Sequence, residues 1–315
     1  MRMKQLVHGL AAAAALALAG PAAAQMPYTG GGAVVHSSTG GVPQDIPATV
    51  LKPEGNGPFP GVVILHDCSG LGGASSGSPG RWGSLLAGQG YVVVIPDSFL
   101  PRGFPEGVCT VQSGAGVDNK VGPRARSFDA YAALAYLRSL PFVDGKHIAV
   151  MGGSHGGSST LATMVITGAP QIDAQRRDGF VAAVALYPGC GAQYGREWRV
   201  TRAAATGPIT EYIGTYQPAA PLKILIGEKD DWTPAEPCRV LAERAVAAGH
   251  PVTIKIYPGA LHAFDSAFPP RYLPNRRNVN KPDGHGATTG GDAGAWADAI
   301  KEVTAFFAAR LKPGS

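Results

Sequence analysis

Residues 152 to 157 read GGSHGG, and they follow the apolar run HIAVM (147–151). The pattern G-x-S-x-G, entered from a strand and left through a helix, makes a sharp turn that lifts the serine hydroxyl clear of a sheet. Side chains at the flanking positions would collide with the neighbouring strand and helix, so glycine is needed there. Ser154 is therefore the candidate nucleophile. A serine hydroxyl is a weak nucleophile until a histidine takes its proton, and a carboxylate must hold that imidazole in one tautomer. On such a framework the partners follow in the order serine, acid, histidine. The run LKILIG ends at Gly227, and Glu228, Asp230 and Asp231 come next. Asp230 is preferred over Asp231 by its place in the loop. The run VTIKIY ends at Tyr257, and His262 stands five residues later on the following loop. Together these groups spell acyl transfer, which also needs backbone N–H donors for the oxyanion. One should be His155 N–H; the other should come from the loop after GVVILHD (61–67), at Cys68.

The pattern alone does not choose the serine. Gly73-Ala74-Ser75-Ser76-Gly77 matches it too, but no strand precedes it and the surroundings are rich in Gly and Ser. Context assigns that copy to a loop.

The elements that would carry these residues alternate along the chain. GVVILHD, YVVVIPD (91–97), HIAVM, FVAAVALY (180–187), LKILIG and VTIKIY are short apolar runs, as expected of parallel strands covered on both faces. Between them, residues 124–140 carry Ala130, Ala133, Leu134 and Leu137 at i, i+3, i+4, i+7, one apolar helical stripe. SSTLATMVI after the elbow, residues 237–249 and residues 293–311 also read as helices. The alternation predicts an α/β chain with a mostly parallel sheet and helices on both sides. AVVH (33–36) and IPATVLKP (46–53) read as a strand or hairpin at one sheet edge. The stretches 68–80, 98–123 and 265–292 read as loops around a site. Residues 189–217 are too short for a lid domain and read as a partial cover or a connection.

The first 24 residues carry Arg2 and Lys4, an apolar stretch from about Leu10 to Ala19, and Ala22-Ala23-Ala24. That is the pattern of a cleaved export signal, and the stretch is shorter than the ~20 residues a membrane span needs. Residues 25–315 then form one domain. With Arg2 and Lys4 gone, 25 basic residues face 22 acidic ones. So small an excess, without a basic block, argues against nucleic acid as a partner. Pro21 follows Leu18-Ala19-Gly20 where a lipid-bearing cysteine would be needed, so no stable membrane anchor is expected. The sequence sets no oligomeric state. Cys68, Cys109, Cys190 and Cys238 form no CxxC pair, which argues against a metal site, and an even count in an exported chain suggests two disulfides.

These residues resemble the dienelactone hydrolase family of α/β-hydrolases. The resemblance runs over about residues 45–311 and rests on PFPGVVILHDCSGL (58–71), PDSFLPRGF (96–104), the GGSHGG elbow, GEKDDWTP (227–234) and YPGALHAF (257–264). It implies an eight-stranded, mostly parallel sheet and cofactor-free hydrolysis of small esters or lactones. Position by position, Ser154 falls on the nucleophile, Asp230 on the acid, His262 on the base, and Cys68 and His155 on the oxyanion positions. The family's name-giving enzyme has a cysteine nucleophile, and a glutamate where this chain has Asp67. Asp67 is either a shorter stand-in or a turn residue, and the turn is preferred. Arg102 falls near a position that can hold a substrate carboxylate. In such a fold the pairings Cys68–Cys109 and Cys190–Cys238 join loops at neighbouring strand ends; the alternative is a free Cys68 beside the nucleophile. Phe99, Leu100, Phe104 and Trp232 are candidates to line an acyl pocket, or are ordinary packing under long loops. Two other readings share the fold: an acyl-peptide hydrolase, and a binding protein that has lost catalysis. The complete triad argues against the second.

Overall fold

Eight strands pair in the order β1-β2-β4-β3-β5-β6-β9-β10. They are β1 (Ala33–Thr39), β2 (Val42–Leu51), β3 (Phe59–Leu65), β4 (Val92–Pro96), β5 (Val143–Gly153), β6 (Ala182–Leu186), β9 (Leu222–Gly227) and β10 (Val252–Tyr257). The computed structural model describes residues 32–312 except 40 and 113. The export signal read in residues 1–24 lies outside the described residues. Only β2 runs against its neighbours. The remaining pairs, from β4 through β10, are parallel.

The hydrophobic patterns explain this layering. β4 and β6 are buried along their whole length and are apolar at every position apart from the closing Pro96. Next to the edge strand β1, β2 alternates covered and exposed residues from Ile46 to Val50, as one covered face requires. The sheet is covered by α1 (Ser78–Gly88), α2 (Ala115–Val121), α3 (Pro123–Ser139), α4 (His155–Met164), α5 (Pro170–Arg177), α6 (Ala235–Ala247) and α7 (Ala293–Leu311). Trp82 of α1 meets Trp296 of α7 edge-on, with ring centroids 4.7 Å apart. The α7 start is capped by the Asp292 carboxylate, which accepts from Ala295 N–H at 2.9 Å. This is the α/β arrangement that the alternation of elements implied, with helices on both faces.

The long stretches read as loops contain more structure than their composition showed. Residues 265–292 hold the antiparallel hairpin of β11 (Arg271–Arg277) and β12 (His285–Thr289). Its sequences, RYLPNRR and HGATT, carry no apolar alternation because the hairpin lies over the site instead of in the core. Residues 189–217 contain a second hairpin, β7 (Arg199–Arg202) with β8 (Ile209–Ile213). Both cysteine pairs are disulfides, Cys68–Cys109 and Cys190–Cys238. The first ties the loop after β3 to the loop after β4, and Val108 N–H reinforces it by donating to Cys68 O at 2.7 Å. No described helix is long and apolar enough to cross a membrane.

Candidate active site

The turn from β5 into α4 is built by close backbone approach. A Cβ on Gly152 would lie 2.5 Å from Gly156 C, and one on Gly156 only 1.9 Å from Leu65 O on β3. Ser154 between them has φ 54° and ψ −116°, a left-handed backbone that a non-glycine residue adopts at a cost of about 1–3 kcal/mol. Its N–H donates to Leu186 O at 2.9 Å, which fastens the strained residue to β6.

Ser154, Asp230 and His262 meet at the C-terminal edge of the sheet. Ser154 Oγ lies 2.9 Å from His262 Nε2, and His262 Nδ1 lies 2.7 Å from Asp230 Oδ2. The carboxylate faces Nδ1, so that nitrogen carries the proton and Nε2 accepts from the serine hydroxyl. All three residues are buried. Asp230 Oδ1 also accepts from the N–H groups of Trp232 (3.0 Å) and Thr233 (2.8 Å). The other acids of the loop face elsewhere. Asp231 accepts from Thr288 N–H at 2.7 Å and pairs with Lys281, while Glu228 accepts from Gly259 N–H. Asp231 thus fastens the β11–β12 hairpin, and Gly290 at the end of that hairpin donates its N–H to His262 O at 3.0 Å.

Thr233 was not visible as a site residue in the sequence. Its Oγ1 lies 3.0 Å from His262 Nδ1, 2.9 Å from Asp230 Oδ2 and 3.0 Å from Tyr187 O. The Tyr187 and Trp232 rings each lie 4.9 Å from the imidazole and hold its plane. The signal for Thr233 was its spacing: a hydroxyl three residues after an acid in a tight turn can return to that acid.

The N–H groups of Cys68 and His155 donate to no group among the described residues. They come from the loop after β3 and the first turn of α4, the two segments flanking Ser154. The His155 ring turns its Nδ1 toward Arg126 Nη1 at 2.7 Å. Burial, and then the charge of Arg126, push its pKa down to about 3, so the ring is neutral.

Two cavities open beside Ser154. One, of about 300 Å³, is walled by His262, Trp232, Asp67, Asp265 and three arginines, Arg81, Arg271 and Arg276. The other, of about 170 Å³, has Val108, Val111, Val117, Val121 and Trp232 on its wall, with Asp118, His155 and Arg277 beside them. The Cys68–Cys109 disulfide lines both. In the first cavity both carboxylates are already occupied. Asp67 accepts from Ser69 N–H (2.7 Å), Ser69 Oγ (2.5 Å) and Ser76 Oγ, and is thus a turn residue. The second G-x-S-x-G copy is therefore the loop that closes over Asp67. Asp265 accepts from Ser78, Trp82 and Tyr187. Arg276 is different: its buried Nε has no partner among the described residues, and burial followed by the charge of Arg271 lowers its pKa. No group of three His, Cys, Asp or Glu able to hold a metal occurs among the described residues.

Two substrate-contact expectations need correction. Arg102 faces away from both cavities. Its guanidinium is held by Asp129 at 2.6 and 2.7 Å and by Gln44 Oε1 at 2.8 Å, so no donor fork is left for a substrate. Phe99 is buried edge-on against His66, with centroids 4.4 Å apart, and against His155 at 5.6 Å. Phe99, Leu100 and Phe104 wall neither cavity beside Ser154. Trp232 walls both.

Residues 46–311 match the dienelactone hydrolase family model. The chain is 26% identical over 229 residues to a Yersinia pestis protein assigned as a carboxymethylenebutenolidase, covering 72% of this chain and 77% of that one. Among solved structures it is similar to a Klebsiella pneumoniae protein assigned as a dienelactone hydrolase (TM-score 0.56, 18% identity, 88% of this chain and 98% of that). It is also similar to Thermogutta terrifontis esterase 2 (TM-score 0.56, 19% identity, 89% and 94%). An eight-stranded sheet carrying a serine elbow, matched by that model over most of its length, makes this chain a member of the dienelactone hydrolase family and a carboxylic ester hydrolase.

Proposed function

We propose that the protein is an exported serine esterase that cleaves small carboxylic esters or lactones through an acyl-enzyme. Ser154 Oγ attacks the carbonyl carbon while His262 Nε2 takes its proton. The tetrahedral oxyanion is held by the N–H groups of Cys68 and His155. The imidazolium, stabilised by Asp230, returns the proton to the departing alkoxide. Water then repeats the sequence on the acyl-Ser154 ester, releasing the acid and freeing the serine. The observation that carries this reading is the pair of contacts at His262, 2.9 Å to Ser154 Oγ and 2.7 Å to Asp230. Two disulfides and the N-terminal signal pattern support an oxidising, exported setting. A retired scaffold kept only for binding has no use for a strained serine within hydrogen-bonding reach of an imidazole.

The two cavities suit an ester with a small apolar group on one side and a negative charge on the other. Arg276 is a partly buried cation on the wall of the larger cavity, and an anionic substrate group there would pair with its guanidinium. The mature protein should hydrolyse short p-nitrophenyl esters, and a fluorophosphonate probe should label Ser154. A folded protein that shows neither over several acyl lengths would favour the binding reading. Among substrates, Arg276→Gln should raise KM by about 10-fold for a monoester of a dicarboxylic acid and leave a neutral ester of equal length within about twofold. Equal effects on both esters would remove Arg276 from substrate recognition.

A further inference from the structure

Arg126 lies on α3, and none of its surface reaches solvent. A guanidinium so placed is costly unless its donors are used. Nη2 donates to the carbonyl oxygen of His66 at 2.8 Å, and Nη1 donates to Nδ1 of His155 at 2.7 Å. The face of the group lies over the Phe99 ring, 4.9 Å from its centroid, while Nε has no hydrogen-bond partner among the described residues. Asp129, one turn further along α3, is engaged by Arg102 and by Ser37 Oγ. Arg126 therefore makes its hydrogen bonds to a carbonyl and an imidazole, both neutral. Burial brings its pKa down to about 10, which leaves it charged at neutral pH.

The two acceptors are telling. His66 lies two residues before Cys68, on the exit of β3. His155 opens α4. These are the two chain segments whose N–H groups face the oxyanion position, and one rigid, planar group spans them. Phe99, packed against both histidines and the guanidinium, closes the cluster. We infer that Arg126 is the positioning residue of the oxyanion hole: it fixes the spacing between the Cys68 and His155 N–H groups and keeps a buried positive charge next to both. The inference rests on the proposed roles of Ser154, Cys68 and His155. It also accounts for a histidine directly after the nucleophile, whose ring is an acceptor for Arg126 and takes no part in proton transfer.

The test separates hole geometry from general loss of packing. A thionoester carries sulfur where the oxyanion forms, and sulfur is a poor acceptor for N–H donors. The native enzyme should therefore prefer the oxygen ester by about 10²-fold or more in kcat/KM. In Arg126→Met, with native circular dichroism, kcat/KM for the oxygen ester should fall on the order of 10–10²-fold, as expected for sub-ångström misplacement. The thionoester should lose less, so the preference narrows. Arg126→Lys keeps the charge but not the two-pronged grip, and should fall between the two. It carries the same measurement if the methionine variant does not fold. A folded variant that keeps the native oxygen-to-sulfur preference overturns the inference, whatever its overall rate. A native enzyme that turns over the oxygen ester without any preference would overturn the oxyanion-hole assignment, and the role of Arg126 with it.

Discussion

Ser154→Ala is expected to lower kcat for a short-chain ester by on the order of 10⁴–10⁶-fold and to leave the fold intact. Among the described residues the side-chain oxygen has one partner, His262 Nε2. The backbone bonds of the residue, from Ser154 N–H to Leu186 O and from Ser158 N–H to Ser154 O, do not depend on the hydroxyl. Alanine bears the same left-handed backbone as serine, so the strain is unchanged. Removal of the hydroxyl therefore deletes the bond-forming atom and little else. KM for an ester held by the Arg276 and valine cavities should stay within a few-fold, because those contacts precede the attack. Steady-state kinetics beside thermal melts decide the matter. A variant with a native melting temperature and more than a few per cent of native kcat would mean that another group attacks the carbonyl.

The parts of this site that were legible in the sequence are those set by chain order. Ser154, Asp230 and His262 each follow the end of an apolar strand, and parallel strands deliver their C-terminal loops to one rim. The boundaries of β9, β10 and α7 were equally plain, because continuous apolar runs and a strong helical stripe leave little choice. What escaped was set by packing between segments far apart in sequence. Arg102 and Arg276 look alike in the chain. One is neutralised by Asp129 on α3, while the other is left without a partner for its Nε by a hairpin whose strands carry no hydrophobic alternation. Arg126 did leave a trace: it stands four residues before Ala130, on the same stripe as Ala133, Leu134 and Leu137. A charged residue on the buried face of a helix must have a partner, and the partners were the His66 carbonyl and the His155 ring. Phe99 takes the packing alternative, because an aromatic beside a strand end can pack under the loop as readily as line it.

The glycines of the elbow yield the other large effect. Gly156→Ala would place a Cβ 1.9 Å from Leu65 O and 2.7 Å from His66 O, both backbone atoms in or next to a central strand. Neither can rotate away, so α4 must withdraw from β3. Alanine gains about 1 kcal/mol over glycine in a helix interior, but overpacking against a fixed backbone costs about 1–3 kcal/mol and at times more. An approach of 1.9 Å to fixed backbone belongs at the upper end of that cost, so the clash wins by about 2 kcal/mol, which corresponds to a melting temperature lower by about 4–8 °C. Activity should suffer more than stability. The displaced helix carries Ser154 and the His155 N–H, the strand carries Cys68, and a shift near 1 Å between such groups costs about 10²-fold in rate. Gly80→Ala is the control. Gly80 lies in α1 with nothing within 4 Å of its would-be Cβ, so there helix propensity acts alone and the substitution should stabilise by a few tenths to 1 kcal/mol. Opposite signs from the same chemical change, read as melting temperatures on the two variants, would tie Gly156, and with it Gly152 and Gly157, to close backbone approach. A Gly156→Ala protein that melts with the native one and keeps its rate would refute that account.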